Sequence, residues 1–117
     1  MSDLLKSTCE PCRGGIPPLE DPAIAELLRE VPGWRVVEVD GVKRLEREFR
    51  FDSFRAAVGF AVQAGMVAER EDHHPDLHVG WGKVRVEIWT HAISGLHRND
   101  FILAAKVSAI EPKPRPS

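Results

Sequence analysis

The chain has 117 residues, 43% of them hydrophobic, and a formal net charge of −2 at pH 7. This size and composition suffice for one compact domain with a single core. Acidic and basic residues are interspersed without a basic stripe, so we do not expect nucleic acid as a direct ligand. No apolar run approaches the roughly 20 residues that span a bilayer, and the N-terminus lacks the apolar segment of a signal peptide. We therefore expect a cytoplasmic protein without a membrane partner.

Residues 1–20 are predicted to form a flexible arm, because they contain too many prolines and glycines for a regular element. The order of this arm should depend on docking. Its Cys9 and Cys12 form a C-x-x-C motif, which could be a redox pair or half of a zinc site. Structural zinc needs four ligands, and redox motifs lie between a strand and a helix. We favour reduced, non-catalytic thiols and predict no metal there, although two arms in a dimer could supply four sulfurs.

The first regular element is predicted to be a short amphipathic helix. Asp21 is the expected N-cap, since Pro22 follows it at a position that suits proline, and the helix should end near Pro32-Gly33. Strands over residues 34–39 and 42–51 should then form a hairpin, because the Asp-Gly dipeptide between them suits a two-residue turn.

One face of the second strand is predicted to be apolar. Leu45, Phe49 and Phe51 share a parity that faces the core, whereas the residues between them are charged. Arg47 falls on the apolar parity and is the single discordant residue.

A helix of roughly 18 to 20 residues is predicted from Phe54, with Asp52 as its cap. Its small and apolar residues recur at steps of three and four, which predicts a central helix lying on the sheet. These residues are Phe54, Ala57, Val58, Ala61, Val62, Gly65 and Met66. Pro75 should end the helix, which leaves His73 and His74 at its C-terminal exit.

A second hairpin is predicted over residues 76–79 and 83–90, around Gly80-Trp81-Gly82. His91 ends its second strand. A last helix should span Phe101 to Ile110, and the proline-rich residues 112–117 should be disordered.

The predicted fold is α+β, a four-stranded antiparallel sheet with three helices packed on one face, in the order α-β-β-α-β-β-α. Residues 21–111 form its single domain. A bare sheet face carrying Trp89 and exposed strand edges would favour a partner.

All five histidines lie between residues 69 and 100. Imidazole exchanges protons near neutral pH, so this density indicates proton transfer or metal binding. A metal needs three or four ligands directed at one atom, and adjacent histidines diverge by about 100° on a helix. A proton-transfer pocket needs only two or three imidazoles near a bound molecule. We therefore predict such a pocket, with His78 and His97 as surface bystanders.

The spacing of these residues resembles the pterin-4a-carbinolamine dehydratase family. The family pattern is met by Glu69, His73-His74-Pro75, Trp81, His91 and Asp100. Similarity continues upstream through PGW and REFRFDSFRAAVGF, and downstream through THAISGLHRNDFILAAK. The resemblance thus covers nearly everything after the N-terminal arm.

The resemblance implies dehydration of 4a-hydroxytetrahydropterin to quinonoid dihydropterin, a step that recycles the pterin, with neither metal nor cofactor. We predict that His73 and His91 are the acid–base residues and that His74 orients the pterin, while the choice of acid and base stays open. The pterin ring is expected to lie against Trp34 or Trp81. The predicted substrate-binding residues are Pro75, Trp34, Trp81, Thr90, Ala92 and Ile93.

Two acids are predicted to support the pocket. Glu69 precedes His73 by four residues, so it could hydrogen bond that imidazole and raise its pKa, or be a solvated helix acid. Asp100 follows His97 by three residues, the spacing of a helix capping box. Family members often carry Ser or Thr at the position of His97, a better cap.

The sequence is also compatible with two functions other than this catalysis. One is a non-catalytic, dimerising interaction module with a vestigial pocket, although the intact histidines favour catalysis. Another is a small metalloprotein that uses His73, His78 and His91. The resemblance also implies a homo-oligomer, with dimer and tetramer both open.

Overall fold

The computed structural model describes residues 4–9 and 16–111. The predictions made for Cys12 and for residues 112–117 lie outside this part of the chain. The described elements follow the predicted order, so the α+β fold prediction is confirmed. Their bounds are α1 Asp21–Leu28, β1 Arg35–Val39, β2 Val42–Arg50, α2 Phe54–Glu71, β3 Asp76–Gly80, β4 Lys83–Ile88, a 3-10 turn at His91–Ile93, and α3 Arg98–Ala109.

The four strands form one antiparallel sheet in the order β1-β2-β4-β3. Asp40 and Gly41 join β1 to β2 with φ values of 53° and 79°. Positive φ at both central residues is the geometry of a type I′ turn, so the predicted hairpin is confirmed. The two inner strands place β1 and β3 at opposite edges of the sheet, about 14 Å apart at the usual strand spacing.

The core lies between the sheet and the helices α2 and α3. Leu45 and Phe49 on β2 are buried there, as the strand parity predicts, together with Val84, Val86 and Ile88 on β4. Burying each large aliphatic side chain contributes about 1.5 to 3 kcal/mol. The alternating pattern of these two inner strands therefore fixes which sheet face receives the helices.

Helix α2 carries apolar residues on two faces, one buried and one exposed. The sequence pattern did not distinguish these two faces. The buried residues are Ala57, Phe60, Ala61, Ala64, Val67 and Ala68. The expectation that all its apolar residues lie on the sheet is wrong for four of them, which are 36–60% exposed: Phe54, Val58, Val62 and Met66. These four recur every fourth residue and form a stripe that we call the outer α2 stripe.

Several predicted boundaries differ from the structure. Helix α1 ends at Leu28 rather than near Pro32-Gly33, β4 ends at Ile88 rather than at Thr90, and α3 begins at Arg98 rather than at Phe101. The N-cap of α1 is Glu20 rather than Asp21, without a side-chain cap bond. The N-cap of α2 is Ser53 rather than Asp52, because the Ser53 hydroxyl accepts a hydrogen bond from the Ala56 amide at 3.1 Å. Helix α2 ends at Glu71, before Pro75 is reached, since Asp72 adopts a left-handed conformation with φ 51°.

The discordant Arg47 is accommodated without entering the apolar core. Its guanidinium reaches α3 and its C-terminal end, where it donates to Ser108 Oγ at 3.0 Å and to Glu111 Oε1 at 2.9 Å. Gly33, with φ 92°, leaves room for it, since a Cβ there would approach Arg47 Cζ to 3.0 Å. Arg47 thus joins β2 to the far end of α3.

The described part of the N-terminal segment lies against the domain. The Leu4 side chain is fully buried in the core, and the Leu19 amide donates to the Leu96 carbonyl oxygen at 2.9 Å. These are docking contacts of the kind on which the order of the predicted arm was expected to depend. None of the described helices is long and apolar enough to cross a membrane.

Candidate active site

His73 and Asp100 form a buried pair that joins the exit of α2 to the start of α3. His73 Nε2 lies 2.5 Å from Asp100 Oδ1, across 27 residues of sequence. The Asp100 side chain is 0% exposed and that of His73 is 10% exposed. The contact exists because Asp72 turns the chain back after α2 and α3 packs against that helix. This pair was not predicted from the sequence.

The same carboxylate also holds the segment that precedes His91. Thr90 Oγ1 donates to Asp100 Oδ2 at 2.9 Å. Thr90 is itself buried and forms an isolated bridge with Gly95. Asp100 therefore connects His73 to the residue next to His91, and the helix exit and strand end converge as expected.

The predicted capping box is present. The His97 amide donates to Asp100 Oδ2 at 2.8 Å, and His97 Nδ1 accepts from the Asn99 amide at 3.1 Å. His97 thus serves as a cap in place of Ser or Thr. The two oxygens of Asp100 accept from His97 and Thr90 on one side and contact His73 on the other.

Glu69 contacts His74 rather than His73. Its Oε1 lies 2.7 Å from His74 Nε2, and both side chains are exposed. Of the two alternatives considered for Glu69, the hydrogen bond to His73 is not formed, because the backbone leaves the helix at Asp72 and the His73 ring contacts Asp100. Glu69 is instead an exposed acid of the helix. An exposed ion pair of this kind contributes little to stability, about 0 to 1 kcal/mol.

His91 stacks on a tryptophan. The centroids of its ring and the Trp89 ring are 4.2 Å apart at an interplanar angle of 28°. The Arg44 guanidinium lies 3.8 Å from the centroid of the same tryptophan. His91 is exposed, so one imidazole of the site is buried against a carboxylate while another faces solvent on an aromatic support. Trp89 was predicted only as part of a bare sheet face.

The remaining predicted residues of this region lie beside these histidines. Pro75 follows His74 and is half-buried, and Ala92 and Ile93 form the 3-10 turn with His91. The Ile93 amide donates to the Thr90 carbonyl oxygen at 3.3 Å.

The two predicted tryptophans lie elsewhere in the chain. Trp34 is buried just before β1, the edge strand on the other side of the sheet from β3. Its Nε1 donates to Ser108 Oγ at 2.7 Å. Trp81 is 74% exposed in the β3–β4 turn, about 16 Å along β3 from its first residue, Asp76. Trp34 thus contacts the C-terminal half of α3 and Trp81 lies in the turn at the far end of β3, whereas His73 contacts the first turn of α3.

The three histidines of the metalloprotein alternative are not grouped. His78 lies on the open sheet face, 3.6 Å from Glu87. Among the described residues, the side chains close enough to share an ion are Asp76, His78 and Glu87. This group contains neither His73 nor His91, and Arg44 and Arg85 already contact Glu87 at 3.2 and 3.4 Å.

One cavity of the described chain lies away from the histidines. It measures about 590 Å³ and lies between the N-terminal segment, the α1–β1 loop and the C-terminal half of α3. Its walls include Leu5, Val31, Arg47, Ala105 and Ser108. The histidine site instead opens at the surface, as the exposure of His74 and His91 requires.

Comparisons with known proteins agree on one family. The sequence model described as pterin 4 alpha carbinolamine dehydratase matches residues 17–110. A Chlorobium luteolum protein assigned as a pterin-4-alpha-carbinolamine dehydratase is 51% identical over 94% of this chain and 96% of its own length. A Gloeobacter violaceus protein with the same assignment is also 51% identical, over 92% of this chain and 93% of its own.

Solved structures share the fold. A transcriptional coactivator/pterin dehydratase from Brucella melitensis is 36% identical, with a TM-score of 0.73 over 81% of this chain and 99% of that one. A pterin dehydratase-like protein described as a RuBisCO assembly factor in the alpha-carboxysome is 19% identical, with a TM-score of 0.58 over 70% of this chain and 93% of that one. At that identity the likeness concerns the fold alone.

Proposed function

Because this chain belongs to the pterin-4a-carbinolamine dehydratase family, we propose that it removes water from 4a-hydroxytetrahydropterin to give quinonoid dihydropterin. The observation that carries the proposal is the buried His73–Asp100 pair, which Thr90 links to the segment of His91. The reaction recycles a pterin by acid–base chemistry. The 4a-hydroxyl leaves as water, and a proton leaves a ring nitrogen.

The contact with Asp100 favours the tautomer in which His73 can act as a base. When His73 Nε2 carries the proton and donates to Asp100, the Nδ1 lone pair is available. Within the described residues, Nδ1 has no hydrogen-bond partner. We assign to His73 the acceptance of the ring-nitrogen proton, with Asp100 holding the ring in that orientation.

His91 and His74 are exposed, which suits groups that exchange protons with substrate and solvent. As an imidazolium, His91 can protonate the departing hydroxyl, and the Trp89 ring supports its plane. His74 is held by Glu69 at 2.7 Å and would orient the pterin. The amide edge of the pterin would meet backbone groups of residues 90–93.

The first experiment measures dehydration of a synthetic 4a-carbinolamine by stopped flow. His73→Ala and His91→Ala should each lower kcat by about 10² or more, the usual contribution of a general acid or base. His78→Ala is the matched control, because His78 lies on the open sheet face, and it should retain wild-type turnover. Unchanged turnover in both pocket variants would refute the assignment of His73 and His91 as acid–base residues.

We also propose that the chain forms a homo-oligomer through the outer α2 stripe. Four large apolar residues on one exposed helix face are what a helix–helix interface would bury. In an oligomer, a tryptophan of another copy could pack against a pterin bound at His73, because Trp34 and Trp81 of the same chain lie at other ends of α3 and β3. Light scattering after size exclusion should show a lower mass for Val62→Glu, whereas the neighbouring exposed Gln63→Glu should keep the mass of the wild type.

The same stripe supports a second candidate, a non-catalytic module that binds another protein. The stopped-flow assay separates the two candidates. Wild-type protein without carbinolamine turnover, together with a stable complex abolished by Val62→Glu, would favour the module.

A further inference from the structure

The N-terminal segment bridges the two chain segments that carry His73 and Asp100. We call residues 4–9 the N-terminal strap. The Cys9 amide donates to Glu71 Oε1 at 2.8 Å, and the Cys9 thiol donates to the Asn99 carbonyl oxygen at 3.6 Å. Glu71 precedes His73 by two residues, and Asn99 immediately precedes Asp100. Cys9 therefore contacts both chain segments that carry the buried pair.

Glu71 extends this bridge to a further turn of α3. Its side chain is only 12% exposed, and its Oε2 lies 3.6 Å from Lys106 Nζ. A carboxylate so nearly buried needs partners, which the Cys9 amide and Lys106 supply. Glu71 thereby ties the last turn of α2 to the strap and to α3.

The strap is anchored at its other end. The Leu4 side chain is fully buried in the core, and the Ser7 amide donates to the Leu4 carbonyl oxygen at 3.1 Å. Six residues thus run from a core anchor to the neighbourhood of the buried pair. The position of Cys9 is therefore set by packing at Leu4 as well as by its own hydrogen bonds.

We propose that the N-terminal strap positions the His73–Asp100 pair for catalysis, with Cys9 and Glu71 as positioning residues. The inference rests on the proposed dehydratase function. A contact of 2.5 Å between two different elements is kept only if both are held, and a displacement near 1 Å can cost about 10² in rate. Through Cys9, the strap links the C-terminal end of α2 to the N-terminal end of α3.

The state of the thiol agrees with a donor role. Burial, followed by the charge and hydrogen bond of Glu71, raises the pKa of Cys9 from 9.0 to about 12. The thiol therefore keeps its proton near neutral pH and can donate a hydrogen bond to the Asn99 carbonyl oxygen. A reactive thiolate is not favoured at this position.

The test compares two pairs of variants in the full chain. Cys9→Ala removes the donor and Cys9→Ser keeps one, while Glu71→Ala removes the acceptor and Glu71→Gln keeps it. We expect both alanine variants to lower kcat by about tenfold at unchanged KM, within the loss that a small displacement causes. The serine and glutamine variants should recover at least half of wild-type kcat. The exposed Thr8→Ala is the control and should leave kcat unchanged.

An NMR measurement without substrate distinguishes a failure of the strap proposal from a failure of the dehydratase proposal. The imidazole proton that His73 shares with Asp100 should give a downfield NMR signal in the wild type. That signal should broaden or shift in both alanine variants and persist in Thr8→Ala. Wild-type kcat and an unchanged signal in Cys9→Ala and Glu71→Ala would refute the positioning role of the strap. If Glu71→Ala does not fold, Cys9→Ala decides alone, and absent turnover in the wild type would refute the dehydratase while the signal still tests the strap.

Discussion

Replacing Asp100 by asparagine separates the charge of this residue from its shape. The wild-type carboxylate contacts three groups, His73 Nε2 at 2.5 Å, Thr90 Oγ1 at 2.9 Å and the His97 amide at 2.8 Å. An asparagine oxygen in place of Oδ2 can still accept from Thr90 and His97. A hydrogen bond to a charged group is worth about 1.5 to 3 kcal/mol against about 1 for a neutral one. We expect the free energy of unfolding to fall by about 1 to 3 kcal/mol, with the fold retained.

The effect on turnover should be larger than the effect on stability. The asparagine amide nitrogen would face His73 Nε2 as a donor, so His73 Nε2 must accept and its proton moves to Nδ1. The base of the proposed mechanism is then in the wrong tautomer. Substituting the aspartate of a Ser-His-Asp triad by asparagine costs about 10⁴ in kcat for the same reason. For Asp100→Asn we expect a loss between about 10² and 10⁴.

Three measurements check this prediction. Stopped-flow dehydration gives kcat, and nitrogen NMR of the imidazole reports which ring nitrogen of His73 carries the proton. Chemical denaturation checks the expected loss of stability, and Glu69→Gln is the control for that measurement alone, because Glu69 contacts the exposed His74 and its replacement should change the free energy of unfolding by no more than about 0.5 kcal/mol. Wild-type turnover in Asp100→Asn, with the proton of His73 on Nδ1, would refute the reasoning.

Three further predictions concern stability. Leu4→Ala should cost about 2 to 5 kcal/mol in chemical denaturation, because Leu4 is fully buried, and a comparable loss in the exposed Leu5→Ala would contradict this. Gly59→Ala should stabilise the protein by about 0.5 to 1 kcal/mol, because a Cβ there meets no atom within 4 Å on α2; a lower melting temperature would argue against it. Since the pKa of Cys9 is raised in the folded state to about 12, the wild type should lose stability relative to Cys9→Ala as pH rises from about 9 toward 12, and parallel pH profiles would exclude the shift.

Local patterns in the sequence were sufficient for the fold and for the region of the site. The Asp40-Gly41 turn, the alternation in β2 and β4, and the length of α2 each depend on residues near one another in the chain. The spacing of His97 and Asp100 likewise predicted a capping box within a single helical turn. Such features are set by backbone geometry that neighbouring residues impose.

Other features depend on residues that meet only after folding. Helical periodicity marked α2 as apolar, but only the packed helix shows that Phe54, Val58, Val62 and Met66 point away from the sheet. Arg47 appeared discordant because its partners, Ser108 and Glu111, are more than 60 residues away. Sequence spacing cannot reveal such partners.

The candidate site shows the same division most clearly. The sequence by itself determined that His73 and His74 follow a helix and that His91 follows a strand, because helical periodicity, a downstream proline and strand alternation are local signals. The residue at which the helix ends was set instead by the left-handed conformation of Asp72. The partner of His73 was decided only by tertiary structure. Glu69 is near in sequence, yet Asp72 turns the backbone and the packing of α3 against α2 brings Asp100 to His73 instead.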